Sequence, residues 1–235
     1  MSKIITSEHL LSFIYYHPYL SSTDISVFIN TKNVLTKLRQ LQDKDFIDSI
    51  KYERTNYYFV TLKGFKLLAV EGSYRNIDIE RRKFTLSHYI DTNKFFKILK
   101  IYADGNGIEF SDFVSDRFLN VKFSYSGKRY NINPDGFCIF KDKSFYIEMD
   151  RSTESSFKIL EKVDAFSSFY LSFEYLKYFE KFPTVLFIVP TLKRKNLLTD
   201  RIKRFIDSNK YKDELQFFKV FVFDEFIDNP EILTY

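Results

Sequence analysis

The chain of 235 residues has no tryptophan, one cysteine, three histidines and six glycines. Each shortage closes off some chemistry. A lone cysteine, Cys138, forms no internal disulfide and fits a reducing compartment. It stands inside the apolar string Phe-Cys-Ile-Phe, where a buried, inert thiol is expected. His9, His17 and His88 are scattered without metal-ligand spacing, and the few glycines build no phosphate-cradling loop. No apolar run approaches the length of a membrane span, and no segment near Met1 has the charged-then-apolar layout of a signal peptide. The expectation is a cytoplasmic protein without a membrane partner.

What is present is ordinary for a globular chain: 45% hydrophobic and 29% charged residues, enough to bury a core. The 28 phenylalanines and 17 tyrosines, beside many lysines, isoleucines and asparagines, look like coding bias and carry no chemistry of their own. The net charge of +5 suits a nucleic-acid partner. Residues 1–85 hold 13 cations against nine acids, so most of the excess is N-terminal.

That N-terminal part reads as a winged helix-turn-helix domain over 1–75. Ser7 is placed to cap a helix that Pro18 stops, and Ser21 or Ser22 caps a second. A third helix follows, with Val34, Leu35, Leu38 and Leu41 on its buried side and Lys32, Asn33, Thr36, Lys37, Arg39 and Gln40 outside. Runs at 46–52 and 57–62 flank the polar turn 53–56, a hairpin signal, and a closing helix succeeds them. In this order the third helix enters the major groove and the hairpin lies along the backbone. Asn33, Thr36 and Gln40 can reach base edges, while Lys32, Lys37, Arg39, Lys51 and Arg54 suit phosphates. The same cations also suit a solvated helix face, and winged helices also bind proteins; the charge footprint favours double-stranded DNA.

Residues 76–85 read as a linker, and 86–235 as a second domain. Its expected order is a helix ended by Asp104-Gly105-Asn106-Gly107, three strands near 118–125, 137–140 and 145–149, a long helix over 154–179, a strand at Thr184–Val189, a helix from Asn196 and a last strand. Hairpins join the first strands and helical crossovers the later ones, giving a mixed sheet flanked by helices. The fold class is α+β or α/β, with a restriction-endonuclease-like core.

The stretch INPDGFCIFKDKSFYIEMDRSTESS, Ile132–Ser156, concentrates the acids. A turn centred on Asp142-Lys143 sets Phe140 against Phe145 and Asp135 against Asp150. Asp135, Glu148 and Asp150 then share one sheet face, with Phe145, Ile147 and Met149 on the other. Clustered carboxylates repel one another and resist desolvation, and a hard cation such as Mg2+ or Mn2+ relieves both costs. Such an ion could activate water and stabilise a phosphoryl transition state. A solvated hairpin edge with scattered acids is the competing reading.

These residues, with the later LEKVDAF and the helix TLSHYIDTNKFF carrying His88, resemble the plasmid replication-relaxation family of Gram-positive bacteria. The resemblance covers most of the chain. It implies plasmid DNA as partner, a role in replication, DNA relaxation or transfer by conjugation, and a second domain similar to PD-(D/E)XK nucleases. By that likeness Asp135 and Glu148 are metal ligands, and Asp150 occupies the position of the motif lysine. A carboxylate cannot do a lysine's electrostatic work. Lys162 on the next helix matches the family lysine, and Lys158 shares its face; both also suit surface pairs with Glu154 or Glu161. The catalytic set is therefore Asp135, Glu148, Asp150 and Lys162, with the three acids as metal set, for a metal-dependent endonuclease that nicks DNA. The alternative is a non-catalytic transcription regulator or relaxosome accessory factor. A relaxase or replication protein is the expected protein partner, and a homodimer is allowed. The basic clusters at 192–196 and 201–204 suit phosphates but more simply a solvated helix.

Overall fold

The computed structural model describes residues 5–31, 33–68, 79–152, 154–208 and 216–233, with the side chains of 79–85, 112 and 117 left aside. It divides into two compact units, Met1–Ile101 and Tyr102–Tyr235.

In the first unit, α1 (Ser7–Tyr16) is capped by Thr6, whose hydroxyl accepts from His9 N at 3.1 Å, one residue before the expected Ser7. The short β1 (Leu20–Ser21) leads into α2 (Ser22–Phe28). Ser21 and Asp24 form a reciprocal capping box at the start of α2. Next come α3 (Val34–Asp43), the hairpin of β2 (Ile47–Tyr52) and β3 (Thr55–Val60), and α4 (Leu62–Leu68). The sheet order is β1-β3-β2. Leu10, Leu11, Ile14, Ile25, Val34, Leu38 and Leu41 fill the core beneath it. Leu35, expected among them, is instead 53% exposed. Val34, Leu38 and Leu41 already complete the three-to-four spacing of a buried stripe, which turns position 35 outward.

α5 (Ile79–Asn106) begins inside the stretch expected to be a linker; residues 76–78 lie outside the described residues. The helix opens well before His88, which falls within it. Its middle belongs to the first unit. Leu86 and Tyr89 bury against Tyr19, Asn93 donates to the carbonyls of Pro18 (3.2 Å) and Tyr19 (3.1 Å), and Lys97 pairs with Asp24 at 2.7 Å. Those contacts, between residues 67 to 75 positions apart, hold this part of the helix in the first unit, which runs to Ile101.

The second unit holds β4 (Phe110–Ser115), β5 (Val121–Tyr125), β6 (Lys128–Ile132), β7 (Gly136–Phe140), β8 (Lys143–Met149), α6 (Ser156–Leu171), β9 (Thr184–Val189), α7 (Leu192–Ser208), β10 (Phe218–Val222) and α8 (Phe223–Asp228). The main sheet runs β10-β9-β8-β7-β4. β4, β7 and β8 pair antiparallel, while β8, β9 and β10 pair parallel through the crossovers α6 and α7. The mixed sheet matches expectation, but the strand beside β7 is β4. The segment near 118–125 instead forms β5, which pairs with β6 in a separate two-stranded ribbon. The helix expected to reach 179 stops at Leu171, because Phe173 takes a left-handed conformation (φ 56°) and a 3-10 turn follows. α7 starts at Leu192, four residues before the expected Asn196. No described helix is long and apolar enough to cross a membrane.

One close approach in the first unit is directly testable. A Cβ on Gly64 would stand 2.0 Å from the carbonyl oxygen of Phe46. Gly64→Ala must push α4 off the hairpin, and a loss of about 1–3 kcal/mol is expected from such overpacking. Urea unfolding of the full chain measures it.

Candidate functional site

β7 and β8 are joined by the two residues Lys141 and Asp142, both with positive φ (49° and 59°), as a tight hairpin of two left-handed residues requires. Phe140 therefore pairs with Lys143 and Phe137 with Tyr146, a two-residue slip from the expected register. Side chains alternate with period two, so an even slip preserves the face. Its consequence is which acid stands opposite Asp135: Glu148, in place of the expected Asp150. Asp135 N donates to Ile147 O at 2.9 Å, and its Oδ2 accepts from Met149 N at 2.7 Å, fastening this carboxylate to the end of β8.

Glu148 is 3% exposed on a strand whose neighbours Phe145, Tyr146 and Ile147 are also buried. α6 packs over this face through Ile159, Val163, Phe166 and Phe169. The same helix presents Lys162, with Nζ 2.7 Å from Glu148 Oε2 and 3.1 Å from Glu154 Oε2. The pairing with Glu154 is the surface pair expected for this lysine; the pairing with Glu148 adds a buried partner. Lys158, one turn earlier, is exposed. Asp135, Glu148 and Lys162 thus meet at one place.

Asp150 is engaged elsewhere. Arg194 of α7 donates Nε to Asp150 Oδ2 at 2.6 Å and Nη2 to Oδ1 at 3.3 Å. Nη2 also reaches the Glu154 carbonyl at 2.8 Å, and Ser152 N donates to Oδ1 at 2.8 Å. This forked, charge-assisted contact uses both carboxylate oxygens. Among the described residues no three His, Cys, Asp or Glu side chains gather as a metal-binding group. Arg194 was legible only as part of a basic cluster. Its partner lies 44 residues away, and no local spacing reveals it.

In the first unit the expected reading face is largely on the surface. Thr36, Arg39 and Gln40 are exposed on α3 and Asn33 just before it, and Lys37 is half-buried. Lys51 on β2 and Arg54 in the hairpin turn are exposed, and Lys32 lies outside the described residues. The exposed Leu35 joins this face, a residue the helical spacing had assigned to the core.

A profile of the replication-relaxation family matches residues 11–185, from α1 through the start of β9. The chain belongs to the replication-relaxation family. The matched span includes α3, Asp135, Glu148, Asp150 and Lys162, whereas Arg194 lies beyond it. No curated protein matches the chain. Among solved structures, the chain is similar to Streptococcus pneumoniae FabT in complex with DNA, at 19% identity over 45% of this chain and 70% of that one, with a TM-score of 0.26. It is also similar to protein VC1899 from Vibrio cholerae, at 12% identity over 97% of this chain, with a TM-score of 0.38. The family member spans 49% of that protein's length. At these scores neither likeness assigns a fold.

Electrostatics set the state of the site. Burial raises the Glu148 carboxyl to about 8, and Asp135 beside it adds to the rise, while Lys162 opposes both. Burial penalises the Lys162 ammonium, but Glu148, Asp135 and Glu154 together hold it protonated, well above the ordinary lysine value. A carboxyl whose pKa is raised on folding contributes stability below its unfolded value, near 4.5, and loses it as pH rises through about 8. Stability of the wild type should therefore fall between about pH 5 and pH 9, and Glu148→Gln should flatten that fall. Urea midpoints of both proteins at the two pH values test this; a difference between them that stays constant over the window would show that Glu148 does not titrate there. Separately, Arg194→Leu strands the buried Asp150 charge and should cost about 3–5 kcal/mol. Thermal melts of the full chain read that loss, and Asp150→Asn combined with Arg194→Leu should recover part of it.

Proposed function

We propose that the chain is a DNA-binding protein of plasmid or mobile-element replication, relaxation or transfer. In this reading the first unit is a winged helix-turn-helix reader of double-stranded DNA, and the second is a PD-(D/E)XK nuclease-like domain. The observation that carries the proposal is Lys162 Nζ at 2.7 Å from Glu148, beside Asp135: two acids and a lysine meeting at the end of a central hairpin. The lysine arrives from the helix that follows the strand, so a carboxylate at position 150 does not leave the site without a cation.

The donor set suits Mg2+ or Mn2+ and not a metal requiring three or four protein ligands. Two carboxylates are enough for Mg2+, which keeps water and takes phosphate oxygens as its other ligands. Asp135 and Glu148 would hold the ion, which when bound would lower the pKa of a water and offset phosphoryl charge. Lys162 would give its ammonium to the charge that builds on the scissile phosphate. Arg194, through Asp150 and the Glu154 carbonyl, fixes the chain between β8 and α6 and so positions Lys162.

In the first unit, α3 would enter the major groove with Asn33, Thr36 and Gln40 toward base edges. Lys32, Lys37 and Arg39, with Lys51 and Arg54 of the hairpin, would contact phosphates. A relaxase or replication protein is the protein partner this role calls for. The engagement of Asp150 by Arg194, which leaves two acids for a cation, favours a second reading: an accessory factor or transcription regulator that binds DNA without cutting it.

Purified protein incubated with supercoiled plasmid decides between them. Nicking is expected with Mg2+ or Mn2+, none with chelator, none with Glu148→Ala, and about 100-fold less or lower with Lys162→Ala. Plasmid binding without nicking under every metal condition would leave the accessory reading in place of the nuclease.

A further inference from the structure

Between Asp116 and Asp135 the chain carries no acid, but four cations: Arg117, Lys122, Lys128 and Arg129. Most of this stretch is the β5–β6 ribbon, which stands apart from the main sheet. Its register pairs Lys122 with Asn131 and Ser124 with Arg129, and all four residues are exposed. Opposed residues and residues two apart share a face, so these four form one outward surface of cations and hydrogen-bond donors. A shallow groove there is lined by these four together with Phe123 and Tyr130.

The opposite face is anchored. Phe123 stacks on Tyr130 with ring centroids 5.3 Å apart and packs against Phe169 of α6 at 5.2 Å. Lys128 lies over the Tyr130 ring at 4.6 Å and pairs with Asp164 of α6 at 2.6 Å. The ribbon is therefore held by its aromatic side and by one of its cations. Lys122 and Arg129 make no ion pair with an acid among the described residues.

The ribbon also runs straight into the candidate site. β6 ends at Ile132, and only Asn133 and the buried Pro134 separate it from Asp135. Three residue steps span at most about 11 Å, so the Ile132 end of the ribbon lies within that reach of Asp135.

We propose that the outward face of the β5–β6 ribbon, Lys122, Ser124, Arg129 and Asn131, is a second DNA-binding surface that holds the phosphate backbone next to Asp135 and Glu148. This rests on the nuclease-like reading of the second unit and adds to it the surface that presents the substrate. The partner is inferred from charge. Two outward cations with neutral donors between them, in a stretch without acids, fit a polyanion whose charges repeat regularly. An acidic protein would be the other polyanion.

The test uses the full chain and a labelled DNA duplex, with affinity followed across a salt series by fluorescence anisotropy. Lys122→Ala with Arg129→Ala should weaken binding about tenfold. The slope of log affinity against log salt should fall by roughly 2, at about 0.9 for each phosphate that the protein no longer neutralises. Both side chains are exposed, so the thermal melt should not move. Lys181→Ala, exposed elsewhere in the second unit, controls for net charge and should change little, while Lys37→Ala with Arg39→Ala reports the first unit separately. Wild-type binding that the ribbon variant leaves unchanged in affinity and slope would overturn this proposal alone and leave an acidic protein as the ribbon's partner. A wild type that binds no duplex at all would overturn the DNA-binding function itself, and this surface with it.

Discussion

A buried carboxylate governs the second unit. Glu148 lies on a central strand among buried neighbours, where an isolated charge is untenable. The surroundings relieve it in the available ways. The carboxyl is driven toward its neutral form by burial and by Asp135, and an ammonium is brought to 2.7 Å by α6. α6 can deliver that ammonium because its apolar stripe, Ile159, Val163 and Phe166, fixes its rotation against the sheet. Lys162 is the structural counter-charge of this carboxylate.

The neighbouring ion pair shows how a shared strand can separate two roles. Asp150 lies two positions beyond Glu148 on the same face, yet its charge is met by Arg194 from α7. A third unpaired carboxylate beside Asp135 and Glu148 would add repulsion and desolvation cost. The forked contact with Arg194 removes that acid from the site's electrostatics and ties together the start of α7 and the loop before α6. Lys162 of α6 meets Glu148 separately. The pairing of Asp150 with Arg194 and that of Glu148 with Lys162 are two parts of one arrangement.

Much of this was legible. The alternation around Phe137–Phe140 and Phe145–Met149 put the acids on one face, and that survived an error in the turn because the slip was even. The strand Thr184–Val189 and the stripe Val34, Leu38 and Leu41 of α3 follow from local patterns, and of the two serines offered as cap for α2 the structure uses Ser21. Leu35 was misplaced because a leucine next to a buried stripe satisfies the composition but not the angle. The strand next to β7 was misassigned because the extended pattern near 118–125 is genuine, and its β5 pairs with β6 instead.

The sequence by itself determined the faces: which side chains of each helix and strand lie together, and that Asp135, Glu148 and Asp150 share one. Backbone periodicity sets that, and it needs no knowledge of partners. Only the tertiary structure decided which charges meet. Lys162 with Glu148 and Arg194 with Asp150 join residues 14 and 44 positions apart, and Asn93 with Pro18 joins residues 75 apart. The same holds for the ribbon, whose basic face is visible in the sequence but whose docking on α6, through Phe123 with Phe169 and Lys128 with Asp164, is not. Pairings over such distances depend on how helices settle on a sheet, and the side chains nearest each cation in the chain do not predict them.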